Sequence, residues 1–182
     1  MKIAIVGVGG IGSNVAVNLV RSGITWLRII DFDRVEPSNL NRQFYFYEQI
    51  GRHKVEALAE NLRRIQPEVH IETITAKINA ENCCLLLADC NLIVEGLDQA
   101  ADKKILLEKL GNERLIVSAC GIAGMHLDNI SSRQIGNCHI SGDFITACGV
   151  APLYAHKVCT VANHMTAYIL HVWSEQHANS AG

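Results

Sequence analysis

No two cysteines in this chain stand in C-x-x-C spacing, although seven are present, at positions 83, 84, 90, 120, 138, 148 and 159. Their odd number and scattered spacing exclude both a disulfide framework and a tetrathiolate site, so no structural zinc is expected. Most of them read as small core hydrophobes. A charge excess is also missing. With 16 basic against 18 acidic side chains, the chain lacks the broad electrostatic footprint that nucleic acid or an anionic membrane surface would require. No apolar run is long enough to span a bilayer, and no basic, hydrophobic and small-residue leader precedes the first strand at Lys2, so a cytoplasmic location is expected. Internal repeats, low-complexity tracts and linkers are absent as well. The 182 residues suffice for one domain over 1–182 and leave no room for a second full one. The histidines at 156, 164 and 171 never stand four apart, which argues against shared metal ligation on one helix face and leaves them as packing or surface residues.

What is present is most legible at the start. Ile3 to Val6 form a short apolar run that enters Gly7-Val8-Gly9-Gly10-Ile11-Gly12 and then an apolar helix. In such a turn Gly7 permits the bend, Gly9 lets the backbone approach a phosphate, and Gly12 lets helix and strand pack closely. The helix N-terminus supplies free N–H groups to an anion. An acid about 20 positions further on is expected to accept hydrogen bonds from a ribose diol, and Asp31 occupies that place. These features suit NAD, FAD and ATP alike.

Along the chain, strand-like runs at Ile3–Val6, Trp26–Ile30, Val69–Thr75, Asn91–Glu95 and Leu115–Ala119 alternate with helical patterns at Ile11–Arg21, Lys54–Ile65, Ala80–Ala88 and Ala100–Leu110. Alternation of this kind predicts an α/β fold, a Rossmann-like and mostly parallel sheet with helices on both faces. Gly23, Pro67 and Gly111 follow three of the helices as stop signals. Beyond Cys120 the segments Met125–Arg133 and Gln134–Ser141 read as late antiparallel strands. Pro152, placed in a first turn, opens a closing C-terminal helix over Leu153 to Trp173, and His177 to Gly182 read as a frayed tail.

The connection from Asp33 to Gly51 is long for a strand-to-helix link, and long links inside compact domains tend to be functional. It carries Asp31-Phe32-Asp33-Arg34-Val35-Glu36-Pro37-Ser38-Asn39-Leu40-Asn41-Arg42-Gln43, and Gly51-Arg52-His53-Lys54 follows at the next helix start. Together with the glycine turn and the apolar strand ending near Asp98, this run resembles the ThiF/MoeB group of the ubiquitin-activating-enzyme superfamily. The resemblance covers residues 3 to about 120 and, through Ala151-Pro152, extends toward the end of the shorter ThiF-like proteins. It implies an adenylyltransferase that binds ATP and Mg²⁺, with Gly7, Gly9, Gly10, Gly12, Asp31, Ser38, Asn39, Arg42 and Lys54 at the nucleotide. Asp31 would take the ribose, and Asn39, Arg42 and Lys54 would surround the triphosphate. Asp98 matches the acid that positions magnesium, so Arg42, Lys54 and Asp98 form the expected catalytic set. The implied partner is a ubiquitin-like sulfur carrier protein ending in Gly-Gly, in thiamine or related sulfur-cofactor biosynthesis, and the implied assembly is a homodimer.

Physical reasoning is compatible with those roles. Phosphoryl chemistry needs cations where charge develops and a hard oxygen ligand for Mg²⁺. Arg42 can clamp phosphate oxygens in bidentate fashion, while Lys54 would act as a mobile point charge. Other readings stay open: Arg42 and Lys54 as solvated surface charges, Asp98 as the N-cap of the helix starting near Gln99, and Asp33 as a turn or cap residue. The resemblance also implies an arginine lent by an N-terminal helix that has no counterpart in this sequence, with Arg133 and Arg52 as substitutes. Cys148 and Cys120 are candidates for a covalent step or for ordinary small residues. Two further readings compete: an NAD-dependent oxidoreductase and a non-catalytic scaffold that binds nucleotide or carrier.

Overall fold

The computed structural model describes residues 1–146 and 149–178. Seven strands form one sheet in the order β3-β2-β1-β4-β5-β7-β6. They are β1 (Ile3–Val6), β2 (Trp26–Ile30), β3 (His70–Ile74), β4 (Leu92–Glu95), β5 (Leu115–Ala119), β6 (Ser131–Ile135) and β7 (Cys138–Gly142). All neighbours pair in parallel except β6, which runs antiparallel to β7. The helices are α1 (Gly10–Arg21), α2 (Lys54–Ile65), α3 (Cys83–Leu86), α4 (Ala100–Leu110) and α5 (Ala155–Ala178).

Residue alternation along the strands divides the interior in two. Ile3, Ile5, Leu27, Ile29, Leu92, Val94 and Val117 face one side, where they pack with Val15, Leu19, Leu58, Leu62, Val161, Met165 and Ile169 from α1, α2 and α5. Ala4, Val6, Ile30, Ile93 and Ile116 face the other, against Cys83, Leu87, Leu106 and Leu110 around α3 and α4. Strands covered on both faces lose the polar half of the period-two pattern, which is why Ile3–Val6 and Leu92–Glu95 are buried throughout. Each fully buried Leu or Ile there contributes roughly 1.5–3 kcal/mol relative to an exposed one. The mostly parallel α/β architecture with a late antiparallel pair is the one read from the sequence, and α1, α2 and α4 begin or end where the pattern placed them.

Several boundaries differ for local reasons. The third helix is a single turn because the Asn79 carboxamide accepts the N–H groups of Glu81 and Asn82, and that of Asn82 accepts Asn79 N–H, so a side-chain turn replaces the expected start at Ala80. The late strands begin at Ser131 rather than Met125 and turn at Gly136, whose φ is +55°. Pro152 lies ahead of α5, not in its first turn: its carbonyl accepts Gly124 N–H at 2.9 Å, and Leu153 bridges to Gly124. At the other end α5 continues past Trp173 to Ala178, through the start of the segment expected to fray.

The chain runs β1 to β2 to β3 outward in one direction and resumes with β4 and β5 on the other side of β1. The carboxyl ends of β1 and β4 therefore diverge, and a crevice opens between the loops that follow them. Among the described residues, no helix is long and apolar enough to cross a membrane.

Candidate functional site

The crevice holds a cavity of about 910 Å³, in the range of small-molecule sites. Its floor is the glycine turn. Gly7 has φ +83°, donates its N–H to Ile30 O at 2.8 Å, and has no space for a side chain: a Cβ would stand 2.7 Å from Gly96 O. At Gly12 a Cβ would fall 1.9 Å from Gly7 O, so the close crossing of α1 over β1 depends on that glycine, and Gly12 does not line the cavity. Gly9 and Gly10 do line it. A Cβ on Gly9 would meet only Gln43 Nε2, at 3.8 Å, which leaves the backbone open to a ligand.

Asp31 closes one end of the cavity. Only 9% exposed, it accepts Val8 N–H through Oδ2 and Asp33 N–H through Oδ1, each at 2.8 Å. Burial pushes its carboxyl above the usual range, opposed by those N–H donors and by the Lys54 charge. Each oxygen keeps a lone pair for a further donor, as a ribose diol would supply. Tyr45 braces the turn from below by donating its hydroxyl to Val8 O at 2.7 Å. Burial, with Asp31 and Asp33 nearby, raises the phenol well above its ordinary value, so it stays a donor.

Of the four cationic side chains that line the cavity, Lys54 opens α2 and Arg42 lies on the long connection that precedes it. The ends of that connection are clasped by Val35 N–H to Arg52 O and Gly51 N–H to Val35 O, both 2.9 Å, and by the bridge between Arg34 and His53. Lys54 is not the mobile charge expected from its sequence position. It is buried, and its ammonium is held 2.8 Å from Asp33 Oδ2. Asp33 is thereby the partner of that lysine rather than a turn or cap residue. Arg42 lines the cavity with Nη1 donating to Ser38 O at 3.0 Å and to Asn41 Oδ1 at 2.7 Å, while Nε and Nη2 have no partner among the described residues. Ser38 and Asn39 lie outside the cavity. Asn39 Oδ1 accepts Glu36 N–H at 3.1 Å and Ser38 Oγ donates to Glu36 Oε2 at 3.2 Å, so both side chains are spent on the short turn that leads into Arg42.

Asp98 stands on the opposite rim, exposed and free of hydrogen bonds among the described residues. It does not cap α4, whose N-cap is Gln99. Among the described residues no three His, Cys, Asp or Glu side chains are grouped to hold a metal. A single carboxylate with phosphate oxygens is nonetheless the usual way a protein holds Mg²⁺, and Asp98 fits that part. Arg52 pairs with Glu60 at 2.7 Å and Arg133 lies 4.0 Å over the Phe144 ring; neither reaches the cavity. Cys120 is exposed on the cavity wall at the end of β5, and Cys148 lies outside the described residues.

Two features escaped the sequence reading. Glu95, fully buried at the end of β4, accepts Lys103 Nζ at both oxygens (2.9 and 2.7 Å), Ser118 Oγ at 2.5 Å and Leu97 N–H at 2.7 Å. This cluster ties the Leu97–Asp98 loop to β4, α4 and β5; an acid closing the apolar run Leu92–Glu95, with a lysine eight residues later, was its only signal. Gln43 is 9% exposed, lines the cavity, and leaves Oε1 buried without a partner among the described residues. A buried amide oxygen left unpaired costs roughly 1–3 kcal/mol, a burden expected where a ligand or water completes the bond.

A sheet wound in this order, with its cleft at the switch point behind a glycine turn, defines the nucleotide-binding α/β class. Within it the chain belongs to the ThiF family, whose model matches residues 1–169. Over 71 residues it is 52% identical to ubiquitin-like modifier-activating enzyme 5 of Drosophila persimilis, a stretch covering 39% of this chain and 18% of that relative. The match thus spans less than a fifth of the relative's length. In three dimensions the chain resembles tRNA N6-threonylcarbamoyladenosine dehydratase of E. coli in complex with AMP, at a TM-score of 0.85 and 21% identity over 98% of this chain and 87% of that one. It also resembles HcgE of Methanothermobacter marburgensis bound to guanylylpyridinol and ATP, at 0.76 and 18% identity over 96% of each chain.

Proposed function

We propose that the chain binds ATP in this cleft and adenylates the C-terminal glycine carboxylate of a ubiquitin-like carrier protein, of the sulfur-carrier type ending in Gly-Gly. The observation that carries the reading is the placement of Arg42 and the Lys54–Asp33 pair beside the glycine turn, facing an unpaired Asp98. The ThiF family and the modifier-activating relative support a ubiquitin-like substrate.

A carboxylate oxygen of the carrier attacks the α-phosphorus of ATP. The bond from that phosphorus to the bridging oxygen breaks, its electron pair leaves with pyrophosphate, and an acyl-adenylate remains. The attacking group is already ionised at pH 7, so no general base is needed, in keeping with a cleft lined by cations, amides and aspartates and, among the described residues, by no histidine. Asp31 orients the nucleotide through its ribose, and the α1 N-terminus presents N–H groups to phosphate. Arg42 and Lys54 offset negative charge growing on the leaving pyrophosphate; for Lys54 this means exchanging Asp33 for a phosphate oxygen. Asp98 would hold Mg²⁺, which when bound neutralises phosphate charge and fixes the phosphate geometry. A homodimer belongs to the same proposal.

ATP–pyrophosphate exchange dependent on a Gly-Gly-ended carrier tests the reaction. Arg42→Ala should cut the exchange rate at least about tenfold while leaving the thermal unfolding midpoint near that of the parent chain, since its guanidinium is half-buried and bonds only to neighbouring turn groups. Absence of exchange with every carrier tried, together with tight binding of NADH but not of ATP–Mg²⁺, would instead favour an oxidoreductase. ATP or carrier binding without exchange would favour a scaffold.

A further inference from the structure

We infer that Ser13 and Asn14, in the first turn and a half of α1, are positioning residues that set Arg42 against the glycine turn; the inference rests on the proposed ATP site. Each reaches back to the helix start and across to the long connection at once. Ser13, fully buried, donates its hydroxyl to Gly9 O at 2.6 Å and accepts Phe44 N–H at 3.0 Å. Asn14 Nδ2 donates to Gly10 O at 2.7 Å and to Arg42 O at 2.9 Å. Its Oδ1 accepts the Cys159 thiol at 3.7 Å, which ties the same side chain to α5.

Ser and Asn inside a helix ordinarily weaken it, because their side chains compete for backbone carbonyls one turn back. Here that back-bonding occurs at two successive residues, and both carbonyls belong to the phosphate turn. The second bond of each side chain goes to a backbone group of a segment that has no helix or strand ladder of its own. Arg42 O and Phe44 N–H bracket Gln43, so the backbone carrying both Arg42 and Gln43 is registered to Gly9 and Gly10 by two independent side chains. A helix position would need neither polar group for packing: Ala at 13 and 14 would build α1 better. What the pair supplies is a fixed offset between the site of the phosphates and the guanidinium that meets them, the kind of support on which a preorganised site depends.

Isothermal titration of the whole chain with ATP–Mg²⁺ and with AMP tests this. Arg42 lies toward the outer phosphates in this reading, so Asn14→Ala and Arg42→Ala should each weaken ATP about tenfold and leave AMP within about twofold. The double variant should be little worse than either single one, because the same contact is lost twice. Asn14→Leu nearly preserves volume, adds no charge and removes both N–H donors, so it should match Asn14→Ala, which separates the hydrogen bonds from packing. Equal losses for ATP and AMP, additivity with Arg42→Ala, or ATP affinity in Asn14→Leu equal to that of the parent chain would overturn the inference and leave the ATP site standing. A parent chain that binds no ATP would overturn both.

Discussion

Two glycines of one turn should respond in opposite ways to the same added methyl group, and the contrast separates fold from function. At Gly12 the new Cβ would lie 1.9 Å from Gly7 O and 3.0 Å from both Gly7 C and Ile5 Cγ2. Two of those atoms are backbone of the turn itself and cannot rotate away, so α1 must lift from β1. Overpacking of ordinary side chains costs about 1–3 kcal/mol, and a clash with fixed backbone belongs above that range, at about 4 kcal/mol or more. Removing a glycine from a helix returns only roughly 0.5–1 kcal/mol. At Gly9 the added Cβ would meet Gln43 Nε2 at 3.8 Å, an ordinary van der Waals contact, and nothing nearer. Gly9→Ala should therefore leave stability within about 1 kcal/mol, whereas Gly12→Ala should lower the unfolding midpoint by about 8 °C or more, at roughly 2–4 °C per kcal/mol for a chain of this size. The ligand responses reverse. The methyl on Gly9 projects from the floor where phosphate would approach, so Gly9→Ala should weaken ATP–Mg²⁺ at least about tenfold while folding normally. Thermal unfolding followed by circular dichroism, with isothermal titration of the same preparations, reads both quantities. ATP affinity in Gly9→Ala equal to that of the parent chain would refute the placement of the phosphates over the turn.

Gln43→Met removes the unpaired amide oxygen while nearly preserving volume; it should raise apo stability by about 1 kcal/mol in urea unfolding yet reduce ATP affinity, so a variant unchanged in both quantities would show that the amide is already satisfied. Lys157 and Asp143, 3% and 7% exposed and 2.6 Å apart, form a buried pair beside Ala123 O. Lys157→Met should destabilise by about 3–5 kcal/mol in the same assay, because the Asp143 charge is left buried without its cation. Burial alone would push the Asp143 carboxyl up, but the hydrogen bonds from Lys157, Thr146 and Ile145 prevail and hold it well below the usual carboxylate range. A carboxyl lowered on folding contributes stability that is present above its unfolded value, about 3.9, and is lost as pH falls through the folded one. Stability measured from pH 6 downward should thus fall more steeply in the parent chain than in a Lys157→Met, Asp143→Leu double variant, and parallel curves would contradict that pair's role.

The elements legible in the sequence were those whose determinants are local. A glycine turn between an apolar strand and an apolar helix is specified by about ten consecutive residues, and β1, the turn and α1 fall where their spacing places them. The late hairpin was harder to delimit because every residue of β6 is exposed, so no alternation of apolar and polar side chains marks its ends. The polar clusters were invisible for a related reason: Ser118 meets Glu95 across 23 positions and Lys54 meets Asp33 across 21, distances at which sequence spacing carries no geometric information.

That limit bears on how the long connection should be read. Its residues resemble a single motif, yet the structure divides them between two tasks. Ser38 and Asn39 spend their side chains on Glu36 and shape the turn, while Arg42 and Gln43 keep unused hydrogen-bonding groups at the cavity. Polar residues of the first kind lower the energy of the free protein and those of the second kind do not, so the unpaired groups mark the ligand better than membership of the motif does. By the same measure Asp31, with both oxygens already engaged by backbone yet each able to accept once more, belongs to both sets. In the proposed reading the fold builds the nucleotide site by giving Asp31 and Lys54 partners in the free protein and leaving Arg42, Gln43 and Asp98 incompletely satisfied. A chain that kept the motif but paired those three groups internally would keep the shape of the cleft and lose the reason to fill it.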